Sequence, residues 1–315
     1  MTEAPGAANL AGMPITVLVP DDYGVGVLAR LAGIRPVRYA SGETLPAAAE
    51  FAEVLIPPFL ARPESIDLAG LPKLRLVQIL TAGTERWVGR LPDGVLLSNA
   101  RGAHGGSSAE WVVGALLTMY RELIEFDAAR RERRWEHRQT DTLAGKRVLG
   151  IGAGDLAIEL RRRLQAFDAT LTLVGRTARD GVHGVDELPR LLGEFDAVVL
   201  MVPLTEQTIG TVDARFLAAM ADGAVLVNVA RGPIVHTEAL LAELASGRLR
   251  AALDVTDPEP LPPDHPLWTA PGLLLTPHVA GNSRGVVERA YSVVAAEVAR
   301  YAAGELPKNL VRGYH

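Results

Sequence analysis

The stretch "VLGIGAGDLAIELRRRL" (148–164) decides the fold. Its first part is a short apolar run that reads as a buried β-strand, and its second part has the spacing of an amphipathic helix. Between them Gly152, Gly154 and Ala157 stand at G-x-G-x-x-A spacing. In such a turn the first glycine permits the tight bend, the second lets backbone N–H groups approach a diphosphate, and the small third residue lets the helix pack closely. Alone the triplet is weak evidence in a chain with 31 glycines. Its strand, loop and helix setting makes it a dinucleotide signature, with Gly152, Ala153, Gly154, Asp155 and Leu156 as the first cofactor-binding candidates.

Short runs rich in Val, Ile and Leu recur on both sides of this segment, between longer amphipathic stretches. One series is "ITVLVP" (15–20), "PVRYA" (36–40), "EVLIPP" (53–58), "LRLVQIL" (74–80) and "GVLLSNA" (94–100). The other is "KRVLGIG" (146–152), "TLTLVG" (170–175), "DAVVLMVP" (196–203), "GAVLVNV" (223–229), "LRAALDV" (249–255) and "GLLLTPH" (272–278). Alternation of this kind builds parallel sheets from βαβ units. The fold class is α/β with two doubly wound domains: a flavodoxin-like substrate domain (1–101 plus 283–315) and a Rossmann dinucleotide-binding domain (102–282). "SSAEWVVGALLTMYRELIEFDAARRERRW" (107–135) reads as one crossing helix opened by a serine cap. "RGVVERAYSVVAAEVARYAAGE" (284–305) is a second, returning to the first domain, so that two helices form a hinge. The arginine-rich "RRERRWEHR" (130–138) reads as a solvated helix end or a partner-contact arm in preference to an anion site.

Composition narrows the function. With 48% hydrophobic residues in 315, there is ample material for buried cores. The balance of 32 basic and 37 acidic residues, a net charge of −5, argues against nucleic acid or a membrane surface as partner. The chain has no cysteine, which excludes disulfides, thiolate metal sites and a cysteine nucleophile. "MTEAPGAANLAGMP" (1–14) lacks a basic start and is interrupted by Pro14, so it reads as a frayed tail. No apolar run approaches the roughly 18 residues of a membrane span, and the expected location is the cytoplasm. No metal-ligand spacing is found. "GGSSA" (105–109) is not a nucleophile elbow, and Lys73, Lys146 and Lys308 have no setting for Schiff-base chemistry.

The tip of the second strand of a dinucleotide fold ordinarily carries an acid that grips the ribose 2′-hydroxyl, about twenty residues past the first glycine. Here the tip reads "VGRTAR" (174–179), with Gly175 in place of the acid. A carboxylate would repel a 2′-phosphate. Gly175 leaves room for one, and Arg176, Thr177 and Arg179 supply charge-assisted hydrogen bonds to it. The expected cofactor is NADP, with NAD as the alternative.

Three later strand ends carry chemistry: Arg231 after "GAVLVNVA", Glu259 after "LRAALDV", and His278 after "GLLLTP". All fall beyond the carboxyl ends of their strands, where open α/β sheets bind ligands. Histidine exchanges protons near neutral pH, a carboxylate beside it stabilises the imidazolium, and an arginine pairs with a carboxylate and polarises a carbonyl. Beside a nicotinamide, that set reduces a 2-oxo acid. His104, in "NARGAHGG", reads equally as a cleft residue and as loop packing, while His137, His183, His236, His265 and His315 have no comparable context.

The motifs "LTAGTE" (80–85), "GAGDLA" (152–157), "VPLTEQT" (202–208), "NVARGPIV" (228–235), "ALDVTDPEP" (252–260) and "TPHVAGNS" (276–283) span most of the chain. In this order they resemble the D-isomer-specific 2-hydroxyacid dehydrogenase family. The resemblance implies that Arg231 binds and polarises substrate, that Glu259, five residues after Asp254, tunes the histidine, and that His278 is the acid/base. It implies that Asp254 and the Ala230 carbonyl hold the nicotinamide carboxamide, and that Ala82 and Gly83 offer backbone amides to the substrate carboxylate. Val202, Pro203, Thr208, His278 and Gly281 match positions lining the cofactor groove, and the family precedent is a homodimer. "LIPPFL", with Pro57 and Pro58, lacks the donors many relatives carry there, which disfavours a phosphorylated substrate and favours glyoxylate, hydroxypyruvate or an apolar 2-oxo acid. Glu110-Trp111 replaces the family's Glu-His pair in the interdomain helix. Formate oxidation is disfavoured because that branch has an amide where Glu259 stands. The family also contains corepressors, so a nucleotide-sensing protein without turnover is the alternative function.

Overall fold

The computed structural model describes residues 14–311. The tail reading for 1–13, and His315, lie outside the described residues. The chain divides into two compact units, 14–104 with 284–311, and 105–283.

Residues 14–104 contain β1 (Ile15–Val19), α1 (Asp22–Leu28), β2 (Ile34–Arg38), β3 (Ala52–Leu55), β4 (Leu76–Gln78) and β5 (Leu96–Ser98). Residues 105–283 contain α2 (Gly105–Tyr120), α3 (Leu123–Arg131), β6 (Arg147–Ile151), α4 (Asp155–Gln165), β7 (Thr170–Gly175), β8 (His183–Gly184) and α5 (Leu188–Leu191). Then come β9 (Ala197–Leu200), α6 (Ala214–Ala219), β10 (Val225–Asn228), α7 (Thr237–Ser246), β11 (Arg250–Leu253) and β12 (Leu273–Leu275). The last helix, α8 (Val286–Ala302), rejoins the first unit.

The first unit holds a parallel sheet in the order β2-β1-β3-β4-β5, the flavodoxin-like arrangement. Both faces are covered. Val17, Val54 and Leu76 pack with Ala290, Tyr291 and Val294 of α8, and Leu18, Leu55 and Val77 pack with Tyr39 and Trp87. The second unit holds a seven-stranded parallel sheet in the order β12-β11-β10-β9-β6-β7-β8. Its direction of winding reverses between β6 and β9, the switch point at which such folds bind dinucleotides. Successive residues of its strands alternate between two buried clusters: Leu149, Val198 and Leu226 face one, Val148, Val199 and Val227 the other. Burial on both faces is why these strands read as unbroken apolar runs.

Three local expectations are corrected. The stretch read as one helix over 107–135 is two, α2 and α3, separated at Glu122, whose backbone is left-handed (φ 51°). Ser107 is not a cap: α2 already begins at Gly105, and the Ser107 hydroxyl donates to the Gly281 carbonyl at 3.4 Å. A Cβ on Gly105 would stand 2.5 Å from Asp155 Oδ2 and 3.1 Å from the Leu156 nitrogen, so glycine permits α2 to lie against the start of α4. The compact units themselves divide between His104 and Gly105. Finally, β8 is an edge strand that the sequence pattern misses.

Candidate active site

The loop after β6 fits the diphosphate of a dinucleotide. Gly152 has φ +115°, and a Cβ there would stand 2.6 Å from the Met201 carbonyl oxygen, so only glycine makes this turn. Above Gly154 the space is open: nothing lies within 4 Å of where its Cβ would be, and no side chain caps the start of α4. The first N–H groups of α4 thus head a clear approach with the positive end of the helix dipole behind it. Ala157 is fully buried, consistent with close helix packing.

At the tip of β7 the structure refines the reading of "VGRTAR". The volume a side chain on Gly175 would occupy belongs to Arg179 and Val182, each 3.1 Å from the Cβ position. A two-residue turn at Asp180 and Gly181 joins Arg179 and Val182 through reciprocal backbone hydrogen bonds of 2.9 Å. This holds the Arg179 guanidinium over Gly175, where Nη2 donates to the Ala153 carbonyl of the phosphate loop at 3.3 Å. The room is therefore kept for the arginine, which crosses from one cofactor loop to the other. Arg176 and Thr177 are exposed beside it.

The remaining candidates of this unit line the same sheet edge, after β9, β10, β11 and β12. Thr208 is occupied within its own turn, donating to the Pro203 carbonyl at 2.8 Å and accepting from the Thr205 N–H at 2.8 Å; Val202 is half-buried and Pro203 exposed. After β10, the buried Asn228 clamps the turn, with Oδ1 accepting from Ala230 N–H and Nδ2 donating to the Arg231 carbonyl, both at 3.0 Å. Arg231 is half-buried, and its Nη1 donates to the Ala230 carbonyl at 2.6 Å. Gly232 lies so close to the Thr256 carbonyl that a Cβ would collide with it, which seats the Arg231 turn against the segment leading to Glu259.

His278 Nδ1 and Glu259 Oε1 are 2.6 Å apart; with Nδ1–H donating to the carboxylate, Nε2 is the ring nitrogen left for another partner. The two side chains are 42% and 40% exposed, so the pair contributes at most about 1 kcal/mol to stability and its value is orientation. His278 has φ 56°, an uncommon conformation for any residue but glycine. Asp254 holds it there. The Asp254 carbonyl accepts from the His278 N–H at 2.7 Å, Oδ1 accepts from Thr276 Oγ1 (2.6 Å) and Val279 N–H (2.8 Å), and Oδ2 accepts from Ala280 N–H (2.9 Å). At 2% exposure, Asp254 is a buried clamp on the histidine turn. Two other histidines also stand by glutamates: His183 by Glu187 at 3.1 Å and His236 by Glu238 at 3.3 Å. Glu187 is shared with Gly184 N–H and Arg190, and Glu238 is nearly fully exposed, so neither pair resembles the clamped one.

In the first unit, Ala82 and Gly83 follow β4, Ala82 exposed and Gly83 half-buried. Nearby, His104 Nε2 is 3.0 Å from the Leu80 carbonyl and its ring stands edge-on to Phe59, 6.0 Å between centroids. A cavity of about 690 Å³ lies elsewhere in this unit, lined by 39–50 and 64–70; its acids Glu43, Glu50, Glu64 and Asp67 are unsuited to an anionic ligand, and it includes no candidate residue. The arginine cluster is engaged internally: Arg130 and Arg131 with Asp127, Arg134 with Glu132 and Glu136, Arg138 with Glu122 and Glu136. Among the described residues no group of His, Asp and Glu is arranged to hold a metal ion, and no helix is long and apolar enough to cross a membrane.

Sequence reasoning found the strand-end side chains and missed those that hold them, chiefly Asn228 and Thr276. The available signal was a polar residue closing an apolar run.

A phosphate loop at the switch point of a parallel sheet, with a His–Glu pair on the same edge, defines a nicotinamide-dependent oxidoreductase. Residues 113–280 match the family described as D-isomer specific 2-hydroxyacid dehydrogenase, NAD binding domain. The chain is 31% identical to glyoxylate/hydroxypyruvate reductase A of Yersinia enterocolitica, over 92% of this chain and 95% of that one. Among solved structures it resembles a D-isomer specific 2-hydroxyacid dehydrogenase from Xanthobacter autotrophicus Py2 in complex with NADPH and MES, with TM-score 0.81, 31% identity and coverage of 95% and 98% of the two chains. It also resembles an NADPH-dependent glyoxylate/hydroxypyruvate reductase from Sinorhizobium meliloti in complex with NADP and sulfate, with TM-score 0.77, 26% identity and coverage of 95% and 98%. The chain belongs to the D-isomer specific 2-hydroxyacid dehydrogenase family and is an NAD(P)-dependent oxidoreductase of CH–OH donors.

Proposed function

We propose that the protein is an NADPH-preferring reductase of small 2-oxo acids, glyoxylate or hydroxypyruvate among them, working in the cytoplasm as a homodimer. The observation that carries this reading is the 2.6 Å His278–Glu259 contact, on the same sheet edge as Arg231. The N–H groups from Ala153 to Leu156, in the loop and at the start of α4, take the diphosphate. Arg176, Thr177 and Arg179 take the 2′-phosphate, a preference also supported by the NADPH complex of the Xanthobacter relative. Val202, Pro203, Thr208, the Ala230 carbonyl, Asp254 and Gly281 border the nicotinamide end. Bound nicotinamide supplies hydride to the substrate carbonyl carbon.

The chain's own groups do the rest. The N–H groups of Ala82 and Gly83 receive the substrate carboxylate, Arg231 polarises the carbonyl, and His278 Nε2 delivers the proton that the new alkoxide needs. Glu259 keeps the ring turned so that Nε2 faces the substrate. Pro57 and Pro58 offer no donor to a second anionic group, which supports a small substrate. The homodimer rests on family likeness and the cytoplasmic setting on the sequence reading, and light scattering in solution tests the former.

The test is a 2-oxo acid panel run with NADPH and NADH in parallel on wild type and His278→Ala. Wild type should reduce glyoxylate or hydroxypyruvate faster with NADPH. The variant should bind NADPH normally and lose about 10²–10⁴ in turnover; a near-normal rate would remove His278 from the mechanism. A protein that binds NADPH and is inert to the whole panel would be a sensor.

A further inference from the structure

The backbone assigned above to the substrate carboxylate is oriented by hydrogen bonds that lead to the far end of the chain. In a trans peptide the carbonyl of one residue and the N–H of the next point in opposite directions, so fixing a carbonyl fixes the following N–H. The Thr81 carbonyl accepts from Ala100 N–H at 2.9 Å, which sets the Ala82 N–H. The Ala82 carbonyl accepts from Asn99 Nδ2 at 2.8 Å, which sets the Gly83 N–H. Residues 99 and 100 therefore aim both donors.

Residues 99–101 are in turn held by Asn309. Its carbonyl accepts from Asn99 N–H at 3.3 Å, and its Nδ2 donates to the Arg101 carbonyl at 3.0 Å. Within the loop, Asn99 Oδ1 accepts from Arg101 N–H at 3.1 Å. Asn309 is anchored by Glu297, whose Oε2 accepts from Asn309 N–H at 3.1 Å. Glu297 lies on the inner face of α8 beside Val294 and Val298 and is only 5% exposed, an unusual burial for a carboxylate. Beyond Asn309 the segment continues along β5, with Leu310 bridging Ser98 and Val311 N–H donating to the Leu97 carbonyl at 2.8 Å.

We propose that Asn309, seated on buried Glu297, is a positioning residue that sets the aim of the Ala82 and Gly83 N–H groups through Asn99, making the segment 309–311 part of the apparatus that recognises a small carboxylate. The inference rests on the reading of Ala82 and Gly83 as the carboxylate donors. It is tested in the full chain with Asn309→Ala, Glu297→Ala and Glu297→Gln, measuring glyoxylate KM and kcat at saturating NADPH, binding of oxamate as an inert carboxylate probe, NADPH Kd by fluorescence, and Tm. Asn309→Ala and Glu297→Ala should raise glyoxylate KM and oxamate Kd about tenfold, the factor one neutral hydrogen bond carries, with kcat and NADPH Kd changed less than twofold. Glu297→Gln keeps an acceptor for the Asn309 N–H and should stay near wild type. Folded Asn309→Ala with unchanged KM overturns the inference, as does an equal rise in NADPH Kd or a Glu297→Gln as impaired as Glu297→Ala. If Glu297→Ala does not fold, Asn309→Ala decides. Wild type that binds NADPH but neither oxamate nor any 2-oxo acid overturns the carboxylate reading itself.

Discussion

Removing the Asp254 carboxylate should unhinge His278 even when no cofactor is bound. Asp254→Ala strands three donors at once: Thr276 Oγ1 at 2.6 Å, Val279 N–H at 2.8 Å and Ala280 N–H at 2.9 Å. Hydrogen bonds to a charged acceptor are worth about 1.5–3 kcal/mol each, but bonds sharing one acceptor are not additive, and Val279 is partly exposed. A total of about 3–5 kcal/mol follows. For a unit of this size each kcal/mol moves Tm by about 2–4 °C, so the apoprotein should melt about 6–20 °C lower. The left-handed backbone at His278, φ 56°, then loses its restraint and relaxes, and a histidine displaced by about 1 Å costs on the order of 10² in kcat. Thr276→Ala removes one bond of the set, about 1.5 kcal/mol, and should lower Tm by only about 3–6 °C. Calorimetry of the apoprotein, paired with kcat and NADPH Kd, separates the clamp from a direct contact with the nicotinamide carboxamide. An Asp254→Ala protein with unchanged apo Tm and weakened NADPH binding alone would refute the clamp argument.

The two loop glycines should fail differently. Gly152→Ala puts a Cβ 2.6 Å from the Met201 carbonyl at φ +115°, so both apo stability, by about 2 kcal/mol or more, and NADPH affinity should fall; Gly154→Ala meets open space and should spare the apoprotein while weakening NADPH, as titration by fluorescence will report. Equal effects from both would contradict the cradle. Arg176→Ala should lower the ratio of kcat/KM for NADPH over NADH about 10–100-fold and leave NADH unaffected, whereas Arg179→Ala, which also loses the Ala153 tie, should weaken both cofactors; identical profiles would count against the bridging role of Arg179. At high pH the tyrosines govern stability. Burial above all raises the pKa of Tyr39, Tyr120, Tyr291 and Tyr301, with Asp21 adding at Tyr291 and Asp196 at Tyr120. Their neutral forms stabilise the fold fully below the unfolded value near 10, and that contribution is lost as pH rises above it, because the unfolded chain releases protons the folded one keeps. Phenolate absorbance should therefore complete only as the circular dichroism collapses, and all six tyrosines ionising in a chain with native dichroism would contradict it.

What could be read in advance depended on whether the determining contact was local. Strands such as β1, β9 and β10 were legible because they are buried on two faces and spell apolar runs; β8 was not, because His183 and Gly184 join the edge through two residues without an apolar pattern. The break between α2 and α3 was hidden for a related reason: Glu122 takes a left-handed backbone with no glycine or proline to announce it. The serine cap failed because a glycine pair, ordinarily a breaker, starts α2 where Asp155 leaves no space for a Cβ on Gly105. Arg231, Glu259 and His278 were legible as candidates because a polar residue after an apolar run marks a strand end, where parallel sheets bind ligands. Their supports were not. Thr276 bonds a carboxylate 22 residues before it, Asn228 clamps Ala230 and Arg231 from inside an apolar strand end, and in the first unit Asn99 N–H meets the Asn309 carbonyl 210 residues on (309 − 99 = 210). Nothing in the neighbourhood of an asparagine in sequence tells which carbonyl it will meet. Asp254 is a different case: only the family resemblance singled it out, as a cofactor ligand, and its carboxylate is committed to three groups of its own unit. A residue with both duties would couple the setting of His278 to the seating of the nicotinamide, since one carboxylate would serve both.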